Sequence, residues 1–172
     1  MNLRSAAARL ATHLKPATER PLKHRISAGM FVVHEERLLM VRHVRQRRYD
    51  FWVTPGGGVK GTETLEQAAV REVFEETNLI ARPEKLIYVE EFYSPDTRHC
   101  KFWFLGKFES GVLSVSQPDA QAEYITEAAW LSQAELQSRQ VFPEFASSVF
   151  WQDHAAGFPA FRHMGLREMA FW

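Results

Sequence analysis

The sequence predicts an α/β fold built on a mixed central β-sheet, and three observations carry that reading. Runs rich in β-branched and aromatic residues recur over 26–33, 37–44, 86–93, 100–108 and 123–131, as strands require. Helical stretches that open on capping residues interrupt and follow them, at about 65–77 and from Ser132 to about Gln140, and Pro143 begins a further one. Strands interleaved with helices favour helices packed on the faces of a sheet. Composition is the third observation: 172 residues, 45% hydrophobic and 24% charged, suit one soluble domain with terminal extensions.

Residues 2–14 read as an Ala-rich helix that Pro16 ends. With Arg, Ser and Ala and no acid before Glu19, the segment fits a helical arm over 1–24 or a mitochondrial transit peptide over 1–18, and the arm is the simpler reading. The runs 26–33 and 37–44 flank His34-Glu35-Glu36 as a hairpin. Arg42, Arg45, Arg47 and Arg48 then cluster ahead of Tyr49-Asp50-Phe51-Trp52-Val53. The cluster is either a solvated loop or a phosphate-contacting rim, with Arg42 and Arg48 the substrate-binding candidates, because arginine suits bidentate phosphate contacts. Formal net charge is zero, so overall balance gives no argument for nucleic acid or an anionic membrane. No apolar run approaches the ~18 residues of a membrane span. Cys100 is the sole cysteine, which excludes an intrachain disulfide and a thiolate metal site. A reducing compartment follows: the cytoplasm, or the mitochondrial matrix if the leader reading holds.

The most informative stretch is Pro55-Gly56-Gly57-Gly58-Val59-Lys60-Gly61-Thr62-Glu63 and the helix after it. Consecutive glycines let backbone groups approach a ligand. The loop is not a phosphate-cradling P-loop, because Lys60 precedes Gly61 and the upstream spacing fails. Thr64 and Gln67 make a capping box, and Asn78 stands where the chain must leave the helix in a left-handed conformation. At about 100° per residue, Leu65, Ala69, Glu72 and Glu76 share one stripe, flanked by Ala68 and Val73, with Glu75 at its edge. Like charges at this spacing cost a helix roughly 0.2–0.5 kcal/mol per pair. Partial burial adds several kcal/mol per ion, by order of magnitude, unless something compensates. A bound divalent cation is the simplest compensation. A second stripe of Val70, Phe74 and Thr77 predicts that this helix is itself sandwiched between layers.

Gly57, five residues, Glu63, seven residues, then Arg71-Glu72-Val73-x-Glu75-Glu76-x-Asn78-Leu79 resembles the Nudix box, with Asn78 in place of the usual Gly. The resemblance to the wider domain spans 25–140. It implies a Nudix-type α/β/α sandwich and hydrolysis of a nucleoside diphosphate linked to another moiety. On that pattern Glu72, Glu75, Glu76 and the carbonyl of Gly56 hold Mg²⁺, with Mn²⁺ as the alternative ion. Gly57 lies against the substrate, and Arg71 fixes a carboxylate rotamer. The catalytic base is Glu123 or a box glutamate, and Glu127 is the second choice for the further acid. Pro95 falls sixteen residues after Leu79, as in Nudix hydrolases of ADP-ribose, and reads equally as a turn proline.

Residues 117–121 read as a polar loop before the last strand. The segment 141–172 reads as a helix and a tail from Trp151 to Trp172 rich in aromatics and Met, to be buried on the domain or in a homodimer interface. The seven histidines lack ligand spacing and read as structural or surface groups. The function expected is a Mg²⁺-dependent hydrolase of a small nucleotide diphosphate, tilted to ADP-ribose or a nucleotide sugar. A nucleotide-sensing module of the same fold and an RNA 5′-end pyrophosphohydrolase are the alternatives.

Overall fold

The structure, a computed structural model, describes residues 21–169. The arm expected over 1–24 therefore lies almost wholly outside the described residues. The elements are β1 (Lys23–His34), β2 (Arg37–Arg45), β3 (Tyr49–Val53), β4 (Gly56–Gly58), α1 (Leu65–Thr77), β5 (Leu79–Tyr93) and β6 (Thr97–Gly111). They continue with α2 (Pro118–Ala122), β7 (Ile125–Leu131), α3 (Gln133–Gln137), β8 (Val141–Phe142), a 3-10 turn (Glu144–Ser147), α4 (Val149–Ala155) and β9 (Arg162–Glu168).

One sheet runs in the order β8-β3-β2-β1-β6-β5-β9, with β4 also pairing β1 and β7 pairing β2. It is mixed as expected: β1 with β6, β3 with β8 and β5 with β9 are parallel, and the other pairs are antiparallel. The β1–β2 hairpin closes through Glu35 (φ 50°) and Glu36 (φ 56°), with His34 opposite Arg37. Two consecutive left-handed residues give the turn whose twist matches the flanking strands.

Strand alternation sorts the core into two layers. Met30, Val32 and Leu39 pack with Ala68, Ala69 and Val73 of α1 on one face. Phe31, Leu38, Met40, Tyr88 and Trp103 pack with Leu136, Phe150 and Phe158 on the other. The Phe31 ring anchors that second layer, stacked on Phe150 at 4.7 Å and edge-on to Trp103 at 5.3 Å. Helices thus cover both faces of the sheet, the α/β/α arrangement.

Two expectations need correction. The sheet is sandwiched, but α1 is covered on its outer stripe only in part: Thr77 is buried and Val70 half-buried, whereas Phe74 is 45% exposed, and among the described residues the short α2 packs on this helix. The polar stretch 117–121 is largely helical, because Pro118 at the first turn starts α2. The described part of the tail, expected on the domain or in a homodimer interface, divides between core and surface. Phe150 and Phe158 enter the core, whereas Phe161 and Leu166 are 61% and 50% exposed around the edge strand β9. Among the described residues no helix is long and apolar enough to cross a membrane.

The ends of α1 hold as expected. Thr64 Oγ1 accepts from Gln67 N, and Gln67 Oε1 accepts from Thr64 N. Asn78 leaves the helix at φ 59°, donates from Nδ2 to the Val112 carbonyl at 3.1 Å and accepts from Gln117 Nε2 at 3.0 Å. A glycine would supply the backbone and lose both bonds. We expect Asn78→Gly to destabilise by about 1 kcal/mol, and Asn78→Ala by roughly 1–2 kcal/mol more for left-handed strain, read by urea denaturation. Equal stability of the two variants would contradict this account.

Candidate active site

The capped N-terminus of α1 and the β4 ribbon place the acids. β4 pairs with β1 through Gly56↔Gly29, Gly57↔Ala28 and Gly58↔Ser27, laying glycine backbone along the acidic side of the helix. A Cβ on Gly57 would come within 2.5 Å of Glu72 Oε1, so the glycine leaves the carboxylate its room. Gly56 (φ 153°) is constrained from the other side, where a Cβ would sit 2.4 Å from Gly29 Cα.

Arg71 organises the exposed side of the cluster. Its Nε and Nη2 donate to the two carboxylate oxygens of Glu63 at 2.6 and 3.0 Å, and Nη2 also to the Gly58 carbonyl at 3.0 Å. Nη1 donates to Glu72 Oε1 and Glu75 Oε2, both at 2.8 Å. Five N–H donors meet five acceptors, so the guanidinium has no freedom left to rotate. Its bonds, followed by the Lys60 N–H, hold the Glu63 carboxyl down to about 2. Lys60 Nζ reaches Glu75 Oε2 at 3.2 Å, so Glu75 is shared between two cations.

Glu72 and Glu76 are buried, 4% and 3% exposed, on the stripe that continues Ala68, Ala69 and Val73. Burial, offset in part by Arg71, pushes the Glu72 carboxyl up. Burial and then the neighbouring Glu72 and Glu123 push Glu76 well above the carboxylate range. Glu76 Oε2 accepts from Gly56 N at 3.3 Å, while the Gly56 carbonyl accepts from Lys101 Nζ at 2.9 Å. Burial lowers the Lys101 ammonium, and Glu76, Glu90 and Glu72 partly restore it.

Beyond Gly56 opens a cavity of about 300 Å³ walled by Tyr49, Phe51, Phe92, Trp103 and Phe142, with His43, Glu90, Lys101 and Arg167 as polar lining. Its size and its few polar groups among apolar walls suit a small ligand. His43 stacks on Phe51 at 5.3 Å, and its Nδ1 donates to the Glu123 carbonyl at 3.0 Å. Burial lowers the His43 pKa, which leaves the neutral ring with Nε2 as an acceptor. Glu90 accepts from Trp103 Nε1 at 3.0 Å and from Arg167 Nε at 2.7 Å, and the Arg167 guanidinium lies 4.9 Å above Phe92.

The NUDIX domain model matches residues 23–152, well over half of the chain. The chain belongs to the NUDIX family. It is 31% identical over 108 residues to 8-oxo-dGDP phosphatase NUDT18 of Homo sapiens, covering 63% of this chain and 32% of that protein. It is 34% identical over 79 residues to phosphatase NudJ of Escherichia coli K12, covering 45% and 52%. The chain thus matches about a third to a half of the length of these relatives. The crystal structure of a NUDIX hydrolase from Nitrosomonas europaea superposes with a TM-score of 0.69 at 19% identity, over 90% of this chain and 83% of that one. That likeness speaks to the fold.

Gly56 and the Nudix box residues Gly57, Arg71, Glu72, Glu75 and Glu76 meet at the seam of α1 and β4. Glu123 caps α2 and acts electrostatically on both Glu72 and Glu76, whereas Glu127 pairs with Arg42 at 3.3 Å. Three substrate-binding candidates stand apart from the cavity lining. Arg42 is committed to Asp50 through Nε and Nη2, at 2.9 and 2.8 Å. Arg48 is exposed on the β2–β3 turn, and Pro95 is exposed in the β5–β6 turn. Among the described residues no three His, Cys, Asp or Glu side chains form a ready-made metal cluster, because Glu75 turns to Arg71 and Lys60. The donor set still suits a hard cation: two buried carboxylates with raised pKa beside a glycine backbone, and no thiol or imidazole among them. The cavity groups His43, Glu90, Lys101 and Arg167 escaped the sequence reading. The available signal was Glu90 with Phe92, and Lys101 with Trp103, each pair two residues apart on one strand face.

The raised carboxyls have a measurable sign. A native pKa above the unfolded value gives stability that is complete below the ordinary glutamate range and lost as pH rises through the native value. Without divalent cation, the melting temperature should fall as pH rises above the ordinary glutamate range. In Glu76→Gln the fall should be shallower and the melting temperature at neutral pH higher. Added Mg²⁺ should raise the wild-type value and leave the variant nearly unmoved. A wild-type profile unaffected by Mg²⁺ would argue against cation binding at Glu76.

Proposed function

We propose that this protein is a Mg²⁺-dependent Nudix pyrophosphohydrolase that cleaves the diphosphate linkage of a nucleoside diphosphate derivative. The observation that carries the proposal is the junction at Gly56: buried Glu72 and Glu76 on one side, an aromatic cavity on the other. A ligand with a flat base and a diphosphate matches that pairing, since aromatic faces stack on bases of any sequence.

Mg²⁺, or Mn²⁺ in its place, would neutralise the diphosphate and make water a better nucleophile at neutral pH. Glu72 and Glu76 would hold the ion, joined by the Gly56 carbonyl on release from Lys101 and by Glu75 on release from Lys60. Arg71 would keep the carboxylates in the rotamers that face the seam, with Glu63 as its anchor. Glu123, exposed and beside the pair, can take the proton of the attacking water; Glu75 is the alternative base. Phe51 and Phe92 would flank the base, and His43 Nε2 offers it an acceptor.

NUDT18 and NudJ are named as phosphatases, the first of 8-oxo-dGDP, so nucleoside diphosphates stand beside ADP-ribose and UDP-sugars as test substrates. Arg45 lies 4.9 Å from the Tyr124 ring centre on the same rim as Glu123, which adds a 5′-triphosphorylated oligonucleotide to the panel. With Mg²⁺ and products resolved by chromatography, we expect turnover of at least one small nucleotide and its loss in EDTA. Arg71→Ala should lower kcat/KM by roughly 10–100-fold, and Glu76→Gln by more, with both variants folded. Binding of the panel without turnover would instead establish a nucleotide sensor.

A further inference from the structure

We propose that Lys101 is a substrate contact and a specificity-determining residue: its ammonium takes the phosphate that lies between the base in the cavity and the linkage cut at the acidic seam. The inference rests on the hydrolase reading above and deepens it. Lys101 lies on β6, lines the cavity, and donates 2.9 Å to the carbonyl of Gly56, whose N–H faces Glu76. A nucleotide reaching from cavity to seam must pass this side chain.

Its partners leave it short of charge. An ammonium has three donors, and the Gly56 carbonyl takes one. Its other close partner is the Trp103 ring, whose centre lies 4.2 Å from Nζ, while Glu76, Glu90 and Glu72 act on it without an ion-pair contact. The nearby Glu90 spends its oxygens on Trp103 Nε1 and Arg167 Nε. Among the described residues Lys101 makes no ion pair with a carboxylate. A half-buried ammonium whose close partners are a neutral carbonyl and a π-face gains most from an anionic ligand. Trp103 is itself fixed by its bond to Glu90, so the ammonium is held in place before ligand arrives.

The test compares four probes in Mg²⁺ by calorimetry: adenosine, guanosine, and the corresponding α,β-methylene nucleoside diphosphates, which resist cleavage. Replacing a charged hydrogen bond, Lys101→Met should weaken diphosphate binding by roughly tenfold or more, and leave nucleoside binding within about twofold. Lys101→Arg should recover most of the loss. On a turned-over substrate the change should fall mainly on KM. Equal weakening of nucleoside and diphosphate would make Lys101 a wall of the cavity only, and unchanged diphosphate binding would overturn the contact outright. If Lys101→Met fails to fold, Lys101→Gln against Lys101→Arg reads the same difference. Wild-type protein that binds the diphosphates with this dependence, yet hydrolyses no substrate, would remove the hydrolase reading and sustain the contact. Wild-type protein that binds none of the probes would overturn both.

Discussion

Burying Glu72 and Glu76 in the seam between α1 and the sheet is the constraint to which the surrounding structure answers. A helix that packs by its Ala68, Ala69 and Val73 side has no room for charge there unless the opposing strand is nearly bare backbone. β4 meets that need with three successive glycines, and the pairing of Gly56 with Gly29 puts two residues without side chains face to face. What opposes the carboxylates is then an N–H, from Gly56 to Glu76, and one guanidinium nitrogen, from Arg71 to Glu72. That support does not offset the cost of burying two carboxylates side by side, hence the upward shift of both. The fold holds the pair in place at the expense of its own stability, as binding sites commonly do.

Arg71 explains why the helix tolerates the arrangement. Its bonds run to a loop carboxylate, a loop carbonyl and two carboxylates on its own helix. It therefore ties the glycine loop to α1 at the point where the loop could otherwise drift. A lysine at 71 would keep the charge and lose the planar fork that serves five acceptors at once.

Reading the sequence alone reached the parts of this site that local periodicity encodes. The caps of α1 are decided by Thr64, Gln67 and Asn78, and the acid stripe by spacing along one helix, so both are visible within fifteen consecutive residues. The cavity is different. Its lining comes from β2, β3, β5, β6 and the segments around β8 and β9, and only the order of the sheet makes them neighbours. The parallel pairing of β5 with β9 joins residues more than seventy positions apart, and no local pattern announces it. The same holds for Arg42. Its position among arginines suggested a phosphate contact, whereas the antiparallel pairing of β2 with β3 and β7 sets Asp50 and Glu127 beside it. The second apolar stripe of α1 misled for a related reason: periodicity reports which residues share a face, and says nothing of whether another element covers it.

The cavity also joins the stretch that matches the family to the segment that follows it. The acidic seam lies wholly within residues 23–152, the stretch that matches the NUDIX domain. Arg167 and Met169 lie beyond it, yet they line the same cavity as Lys101 and Gly56. Arg167 is bound into the site by its bond to buried Glu90, which in turn steadies the indole beneath Lys101. An alternation of charge therefore runs from Glu76 through Lys101 and Glu90 to Arg167, and each group is stabilised by the next. Under the proposed function, the wall that meets the substrate is therefore assembled from both the matched stretch and the segment beyond it. β9 closes that wall from the sheet edge, held by its pairing with β5 and by the Arg167–Glu90 bond.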